Sequence, residues 1–186
     1  MHTHTFSHKS IRNIVGAVAV LSLSLFAWYH FAPTHGTGVV TYNTQRDREF
    51  ILNEFKQNMY CLVSEKVSFS PEHMLDTRSS SQRAEDFENA GIYVYCEAGV
   101  PVGFLVIHPT REASRILFLE IAQEHRKKGY GRKLMNFAVD KLRREGYAYT
   151  DIATRIENIP AQTLYRSLGA FEIDRYDGFL SMRLYL

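Results

Sequence analysis

The chain has 186 residues, of which 45% are hydrophobic and 23% charged, and its formal net charge is +2. This composition excludes a disordered or fibrous chain, and the length suits one ordinary domain with a sizeable core. Residues 1–33 contain two basic residues and no acid, so the other 20 Lys and Arg residues balance all 20 Asp and Glu residues. A neutral domain argues against a generally basic nucleic-acid binder, and we expect no nucleic-acid partner.

An apolar segment lies near the N-terminus. Residues 14–33 carry no charged side chain and would span roughly 30 Å as a helix, close to the thickness of the hydrocarbon layer of a membrane. Trp28, Tyr29 and Phe31 lie where an interfacial aromatic belt would be. We therefore predict a single-pass membrane anchor over 14–33, preceded by a tail (1–13) and followed by a linker (34–38). A cleaved signal peptide and a buried helix are the alternatives.

Strand and helix patterns begin after this linker. Residues 39–42 form a short strand candidate, and residues 44–47 resemble a capping box at the start of a helix. Cys61 falls late in this helix and Cys96 falls in a strand. Two isolated thiols with no zinc-type spacing favour a reducing compartment, and we expect no metal.

The second half of the chain has clear turn and cap signals. Two β-rich runs form a hairpin over 92–107, and a third apolar run covers 115–122. Gly146 ends a predicted helix that starts at Gly129, and Asn158 caps another that ends at Gly169. Asp177-Gly178 predicts a tight turn in a closing hairpin. The order β-α-α-β-β-β-α-β-α-β-β predicts a mixed α/β (α+β) domain over 39–186.

A basic, glycine-spaced loop connects the third apolar run to the following helix. Its residues are Arg126, Lys127, Lys128, Gly129, Tyr130, Gly131 and Arg132. Unpaired amides and the helix dipole make such a helix start suitable for phosphate. The loop lacks the P-loop pattern, and Leu134 stands where a dinucleotide fingerprint needs a third glycine. A solvated helix start without a ligand is the alternative.

Arg126 to Gly131 resembles the R/Q-x-x-G-x-G/A signature of the GNAT superfamily of acyl-CoA N-acyltransferases. Residues 158–171 resemble the family segment N-x-x-A-x-x-x-Y-x-x-x-G-F, with Ala170 inserted before Phe171. The resemblance covers roughly residues 39–186. It implies a mostly antiparallel central sheet flanked by helices, preceded here by the N-terminal hydrophobic helix, and acetyl-CoA as the co-substrate.

The resemblance also implies where acetyl-CoA binds. The strand that ends at Ile121-Ala122 splays from its neighbour and pairs with the pantetheine arm, while backbone amides from Lys127 to Arg132 cradle the pyrophosphate. Lys127 replaces a frequent glycine of the family. The expected cofactor-binding residues are Ile121, Ala122, Arg126, Lys127, Lys128, Gly129, Tyr130, Gly131, Arg132, Asn158 and Tyr165.

Two residues are expected to be catalytic. Tyr165 stands where many members have a general acid for the leaving thiolate. Glu120 is the only ionisable residue in its apolar run, and a partly desolvated carboxylate suits a general base; an outward-facing strand residue is the alternative. Asp151 is a weaker candidate for the base, and His108, at a strand end, is interpreted as a surface residue.

The implied activity is N-acetyl transfer from acetyl-CoA to a primary amine by direct attack, where the acceptor is a small amine, a polyamine or a peptide amine. A non-catalytic acyl-CoA-binding sensor or regulatory module is the alternative. The expected acceptor pocket lies at 65–89 and 175–179, where acidic residues between 72 and 88 favour a cationic acceptor. The oligomeric state is open, and a dimer is one option.

The side of the membrane is not fixed by charge. Lys9 and Arg12 before the predicted anchor balance Arg46 and Arg48 after it. Because acetyl-CoA is chiefly cytosolic, the catalytic domain is expected to face the cytosol.

Overall fold

The computed structural model describes residues 36–76, 90–110 and 113–186. Seven strands form one sheet in the order β1-β2-β3-β4-β5-β7-β6. Only β4 and β5 are parallel, and every other neighbouring pair is antiparallel. The strands are β1 (Gly38–Thr41), β2 (Gly91–Glu97), β3 (Val100–Pro109), β4 (Ser114–Ile121), β5 (Tyr149–Arg155), β6 (Phe171–Tyr176) and β7 (Phe179–Tyr185).

Four α-helices are described with this sheet. They are α1 (Thr44–Leu62), α2 (Pro71–Leu75), α3 (Tyr130–Arg144) and α4 (Ile159–Ser167), and a short 3₁₀ turn covers Gln123–His125. The predicted mixed α/β class with a mostly antiparallel sheet is confirmed. The N-terminal helix of that prediction lies outside the described residues, and the domain boundaries stay predictions.

The start of α1 differs from the predicted capping box. Asn43, rather than Thr44, is the N-cap, and its side-chain oxygen accepts hydrogen bonds from the amides of Gln45 (3.0 Å) and Arg46 (3.2 Å). The Asp47 carboxylate accepts in return from the Asn43 amide at 2.8 Å. Asparagine is among the strongest N-cap residues, which accounts for the shift by one residue.

Helices cover both faces of the sheet, so the core has two layers. On one face, α3 and α4 pack on residues such as Leu105 and Ile152. On the other face, α1 and α2 pack on residues such as Phe104 and Phe118. Adjacent residues of β3 belong to different layers because strand side chains alternate between faces.

The parallel pair β4–β5 is short. The two strands pair only from Ser114 opposite Thr150 to Ile116 opposite Ile152, although both continue beyond these residues. Residues 117–121 of β4 therefore have no partner on the β5 side, and a wedge opens between the two strands.

The closing hairpin and the cysteines agree with the predictions. Asp177 (φ +48°) and Gly178 (φ +77°) both have positive φ, as a two-residue type I′ turn requires. Cys61 is exposed near the end of α1, Cys96 is buried in β2, and both are free thiols.

The predicted membrane localisation is corrected here. In the part of the chain that the structure describes, no helix is both long and apolar enough to cross a membrane. Residues 14–33, from which the localisation was predicted, lie outside the described ranges.

Candidate active site

A small cavity lies in the wedge between β4 and β5. The second half of β4, the end of β5, the end of α1 and the start of α4 enclose it. Its lining residues are Cys61, Leu62, Leu117, Phe118, Leu119, Glu120, Ile152, Ala153, Thr154, Asn158 and Tyr165. The two predicted catalytic residues therefore lie in one cavity, although 45 positions separate them in the chain.

Six consecutive backbone amides are free at the start of α3. Among the described residues, no amide from Lys127 to Arg132 donates a hydrogen bond, and the first amide of this region with a partner is that of Lys133, which donates to the Gly129 carbonyl at 3.1 Å. Gly129 is the N-cap with φ +84°, and Lys127 also has a left-handed φ of +62°. This array of donors fits an anion such as a pyrophosphate.

The side chains of the same loop serve different purposes. Lys127 and Lys128 are exposed, so their charges are available to phosphates. Arg132 instead donates to the Ser167 hydroxyl at 2.8 Å and thereby links α3 to α4. Gly131 lies close to α4, since an added Cβ would be 3.2 Å from Leu164.

The backbone amide of Tyr130 belongs to the free amides of residues 127–132, and its side chain packs against β2. The ring is 6% exposed and stacks on Tyr95 with 4.9 Å between centroids. Its hydroxyl donates to the Glu97 carboxylate, which raises the pKa of Tyr130 to about 12. Lys133 donates to the Tyr95 hydroxyl at 2.8 Å. These contacts hold the start of α3 against β2.

Glu120 faces the interior and not the solvent. It is 8% exposed, and Arg126 Nη2 donates to its Oε1 at 2.7 Å. Burial raises the pKa of this carboxyl, and the Arg126 guanidinium opposes that rise. A buried carboxylate with a raised pKa in the wedge has the properties of a general base. The side chain of Arg126 thus contacts Glu120, although the residue was predicted to bind the cofactor.

Ile121, the last residue of β4, and Ala122, the residue after it, direct their backbone amides to opposite sides of the strand. The Ala122 amide donates to the Val102 carbonyl of β3 at 3.0 Å, so the Ile121 amide, one residue earlier, faces the wedge. That amide donates to Glu120 Oε1 at 3.2 Å, and the Ile121 carbonyl accepts from Arg126 Nε at 2.9 Å. Of these two amides, therefore, only that of Ile121 faces the wedge, where its partner is Glu120.

A second buried carboxylate, Glu54 of α1, adjoins Glu120. Glu54 is 6% exposed, and its pKa is raised by burial and then by the negative charges of Glu120 and Glu124. Asn58 donates to Glu54 Oε2 at 3.3 Å and accepts from Arg126 Nη2 at 3.4 Å. Sequence reasoning missed Glu54. The available signal was an acid at a position that shares the apolar face of the helix with Ile51 and Phe55.

Tyr165 is buried in the wall of the wedge. It is 4% exposed, and burial followed by the charge of Glu120 raises the pKa of its hydroxyl. The hydroxyl has no hydrogen-bond partner in the described parts of the chain, and it stays protonated at neutral pH. Asn158 caps α4, where its side-chain oxygen accepts from the Ala161 amide at 3.2 Å, so part of its role is structural.

The weaker candidates for the base lie elsewhere. Asp151 is held by two hydrogen bonds from Arg183, at 2.8 and 2.9 Å. His108 pairs in register with Arg115, at the opposite end of β4 from Glu120. Within residues 36–76, 90–110 and 113–186, no group of three or more His, Cys, Asp or Glu side chains is arranged to hold a metal ion.

Comparison with known proteins identifies the family. The model of the acetyltransferase (GNAT) family matches residues 60–170, and the chain belongs to this family. Its class of enzyme is therefore that of acyltransferases that transfer groups other than amino-acyl groups, as the sequence predicted. A search of curated proteins found no match.

Solved structures share the fold at low sequence identity. The ribosomal-protein-S18-alanine N-acetyltransferase of Escherichia coli has a TM-score of 0.61 and 16% identity, over 80% of this chain and 93% of that chain. The protein yncA of Salmonella typhimurium, solved with its cofactor acetyl-CoA, has a TM-score of 0.66 and 18% identity, over 82% of this chain and 95% of that chain. The paia N-acetyltransferase of Thermoplasma acidophilum, solved with coenzyme A, has a TM-score of 0.64 and 13% identity, over 82% of this chain and 100% of that chain. The predicted co-substrate, acetyl-CoA, agrees with these neighbours.

The role of the left-handed turn at Gly129 in coenzyme A binding can be tested with a pair of glycine-to-alanine variants. Gly129→Ala introduces a Cβ that has space around it but needs an unfavourable φ of +84°. We expect the turn to shift and coenzyme A affinity to fall about tenfold, because roughly 1–2 kcal/mol of backbone strain is relieved by moving the amides. Isothermal titration calorimetry with coenzyme A measures this effect.

Gly146→Ala is the control, since Gly146 has the same φ and equal space at the other end of α3. We expect a similar loss of stability in both variants and a loss of affinity in Gly129→Ala alone. Equal affinities would show that the turn does not shape the ligand site.

The buried carboxylate of Glu54 makes stability depend on pH. A raised pKa in the folded state stabilises the protein at low pH, and this contribution is lost as the pH rises through the raised pKa. We therefore expect the free energy of unfolding of Glu54→Gln, relative to wild type, to increase as the pH rises above the ordinary glutamate pKa of about 4.3. Urea denaturation at several pH values measures it, with the exposed Glu49→Gln on the same helix as the control. A parallel pH dependence in wild type and Glu54→Gln would contradict this assignment.

Proposed function

We propose that the protein is an N-acetyltransferase that transfers the acetyl group of acetyl-CoA to a primary amine by direct attack. The observation that carries the proposal is the free amide array of residues 127–132, which follows directly on a wedge that contains both Glu120 and Tyr165. Belonging to the GNAT family supports the same chemistry.

The loop residues bind the donor in this proposal. The amides of residues 127–132 donate hydrogen bonds to the pyrophosphate oxygens, and Lys127 and Lys128 add positive charge. The unpaired edge of β4 lies beside the path from this loop to the wedge, and the amide of Ile121 is directed into it. Bound acetyl-CoA supplies an activated thioester there.

Two side chains move the protons. Glu120 takes a proton from the attacking amine as the new N–C bond forms. Tyr165 donates its hydroxyl proton to the sulfur as the C–S bond breaks. The raised pKa of Tyr165 keeps that proton in place before the reaction, and the burial that raises the pKa of Glu120 strengthens it as a base.

The carboxylate of Glu54 supports Glu120 in this arrangement. Its charge adjoins that of Glu120, and Asn58 connects Glu54 to the guanidinium of Arg126. Arg126 therefore balances two buried carboxylates, and Glu54 acts as a positioning residue that influences the reaction through this network.

Removing the Tyr165 hydroxyl tests the general acid. We expect Tyr165→Phe to lower kcat by about 10²–10⁴-fold, the usual contribution of a general acid, while acetyl-CoA affinity stays close to that of wild type. Thiol release with an amine acceptor and calorimetry with coenzyme A measure the two effects. Tyr147→Phe is the control, because within the described ranges the Tyr147 hydroxyl donates only to the Thr110 carbonyl, at 3.4 Å. Unchanged kcat in Tyr165→Phe would assign the proton to another donor.

Glu120→Gln tests the general base through its pH profile. In wild type, kcat/KM should fall as the pH drops through the raised pKa of Glu120, because the protonated carboxyl cannot accept the amine proton. Glu120→Gln should reduce kcat/KM about 10²–10⁴-fold and remove this acidic limb. The exposed Glu124→Gln should keep both the rate and the limb. A persistent limb in Glu120→Gln would identify a different base.

Assays of the wild-type protein distinguish an N-acetyltransferase from an acyl-CoA-binding sensor. Tight acetyl-CoA binding without thiol release across broad panels of amines and peptides would support a non-catalytic acyl-CoA-binding module instead. The oligomeric state does not enter this test.

A further inference from the structure

A second cavity adjoins the wedge. It has a volume of about 230 Å³ and lies between the end of α1, the loop that follows, the end of β5 and the β6–β7 turn. Its lining residues are Tyr60, Ser64, Glu65, Lys66, Arg155 and Asp177. Tyr60 and Arg155 are the chain neighbours of Cys61 and Thr154, which line the wedge cavity, so the two cavities are neighbours at the ends of α1 and β5.

A buried guanidinium forms one wall of this cavity. Arg155 is 7% exposed and lies between the rings of Tyr60 and Phe179, at 4.1 and 4.3 Å from the centroids. Its hydrogen bonds go to three backbone carbonyls, those of Tyr60 (2.8 Å), Val63 (3.3 Å) and Asp177 (3.4 Å). A guanidinium has five N–H groups, so two of them have no partner within the described residues.

No carboxylate of the described residues forms an ion pair with Arg155 within 4.0 Å. Asp177 pairs through its carboxylate with Lys66 instead. Glu65 is exposed at the rim and makes no ion pair with Arg155. A buried charge is normally paired, because its desolvation costs several kcal/mol, yet none of the described carboxylates is a counter-ion of Arg155.

We propose that the acceptor amine also carries a carboxylate, and that this carboxylate binds Arg155 while the amine reaches Glu120. The proposal rests on the N-acetyltransferase function above and names its substrate class, a small amino acid with amine and carboxylate on one short chain. The planar fork of arginine matches a carboxylate, and the contacts with the rings of Tyr60 and Phe179 restrict the motion of this fork. This class differs from the cationic acceptor that the acidic residues between 72 and 88 favoured in the sequence.

Two acidic residues that the sequence placed near the acceptor, Glu72 and Asp76, do not oppose this assignment. Asp76 is held by Arg48 at 2.8 Å, and Glu72 accepts from the Ser70 hydroxyl at 2.9 Å. Neither residue lines the cavity. The acidic residues at 85, 86 and 88 lie outside the described ranges.

Matched pairs of acceptors test the proposal in the full-length protein. Thiol release is measured with glycine, β-alanine and γ-aminobutyrate, and with methylamine, ethylamine and propylamine as the corresponding amines without a carboxylate. We expect kcat/KM to be about ten- to hundredfold higher for at least one amino acid than for its matched amine. Taurine in place of β-alanine distinguishes a carboxylate from a sulfonate.

Arg155 variants assign the preference to this residue. Arg155→Gln should abolish the preference, mainly through KM for the amino acids, and leave kcat/KM for the plain amines within about twofold. Arg155→Lys should restore part of it, because the charge is kept without the fork. The exposed Arg166→Gln is the control. Coenzyme A affinity and the melting temperature are measured for each variant, to identify any loss of fold.

The outcomes separate the two proposals. Turnover of plain amines and amino acids at equal rates, or an equal loss for all acceptors in a folded Arg155→Gln, would overturn the carboxylate site and leave the N-acetyltransferase function standing. Coenzyme A binding with no turnover of any acceptor would overturn both.

Discussion

The candidate site depends on the early end of pairing between β4 and β5. Backbone groups in a sheet are normally satisfied by the neighbouring strand, yet these strands pair only as far as Ile116 and Ile152. The remainder of β4 keeps β3 as its partner on one side, so it stays extended while its other edge is open. An extended strand with one free edge can pair with an extended ligand. The buried side chains of the wedge lie beside this free edge of β4.

Charge inside the wedge is organised by a single guanidinium. Arg126 contacts Glu120, the Ile121 carbonyl and Asn58, and its neighbours in the chain carry the free amides. In the proposed function, one side chain therefore connects the loop that binds phosphate to the carboxylate that accepts the amine proton. Because like charges in a poorly solvated site disfavour ionisation, this arginine determines how much negative charge the wedge can hold.

Most of the fold could be predicted from the sequence because its signals are local. The turn at Asp177-Gly178, the glycine at the end of α3 and the cap at Asn158 each act within a few residues of the chain. The structure also places Glu120 and Tyr165 in one cavity, and their catalytic roles stay predictions.

Glu54 and Arg155 could not be predicted, because their roles arise from tertiary packing. Glu54 becomes important through Glu120, which lies 66 positions away, and Arg155 through carbonyls of residues more than 90 positions earlier in the chain. An acid on an apolar helix face or an arginine at a strand end has many structural explanations in a sequence. Only the burial and the partners of each residue distinguish a site from a surface charge.

Lys127 has a wider consequence for the evolution of such loops. It occupies a left-handed conformation, with φ +62°, that glycine adopts freely and lysine adopts at a cost of roughly 1–2 kcal/mol. The loop therefore tolerates strain in order to present a charged side chain beside its free amides. Lysine at position 127 therefore lowers stability and adds positive charge beside the amides. Selection for a more heat-resistant protein favours glycine at this position, whereas selection for tighter anion binding favours lysine.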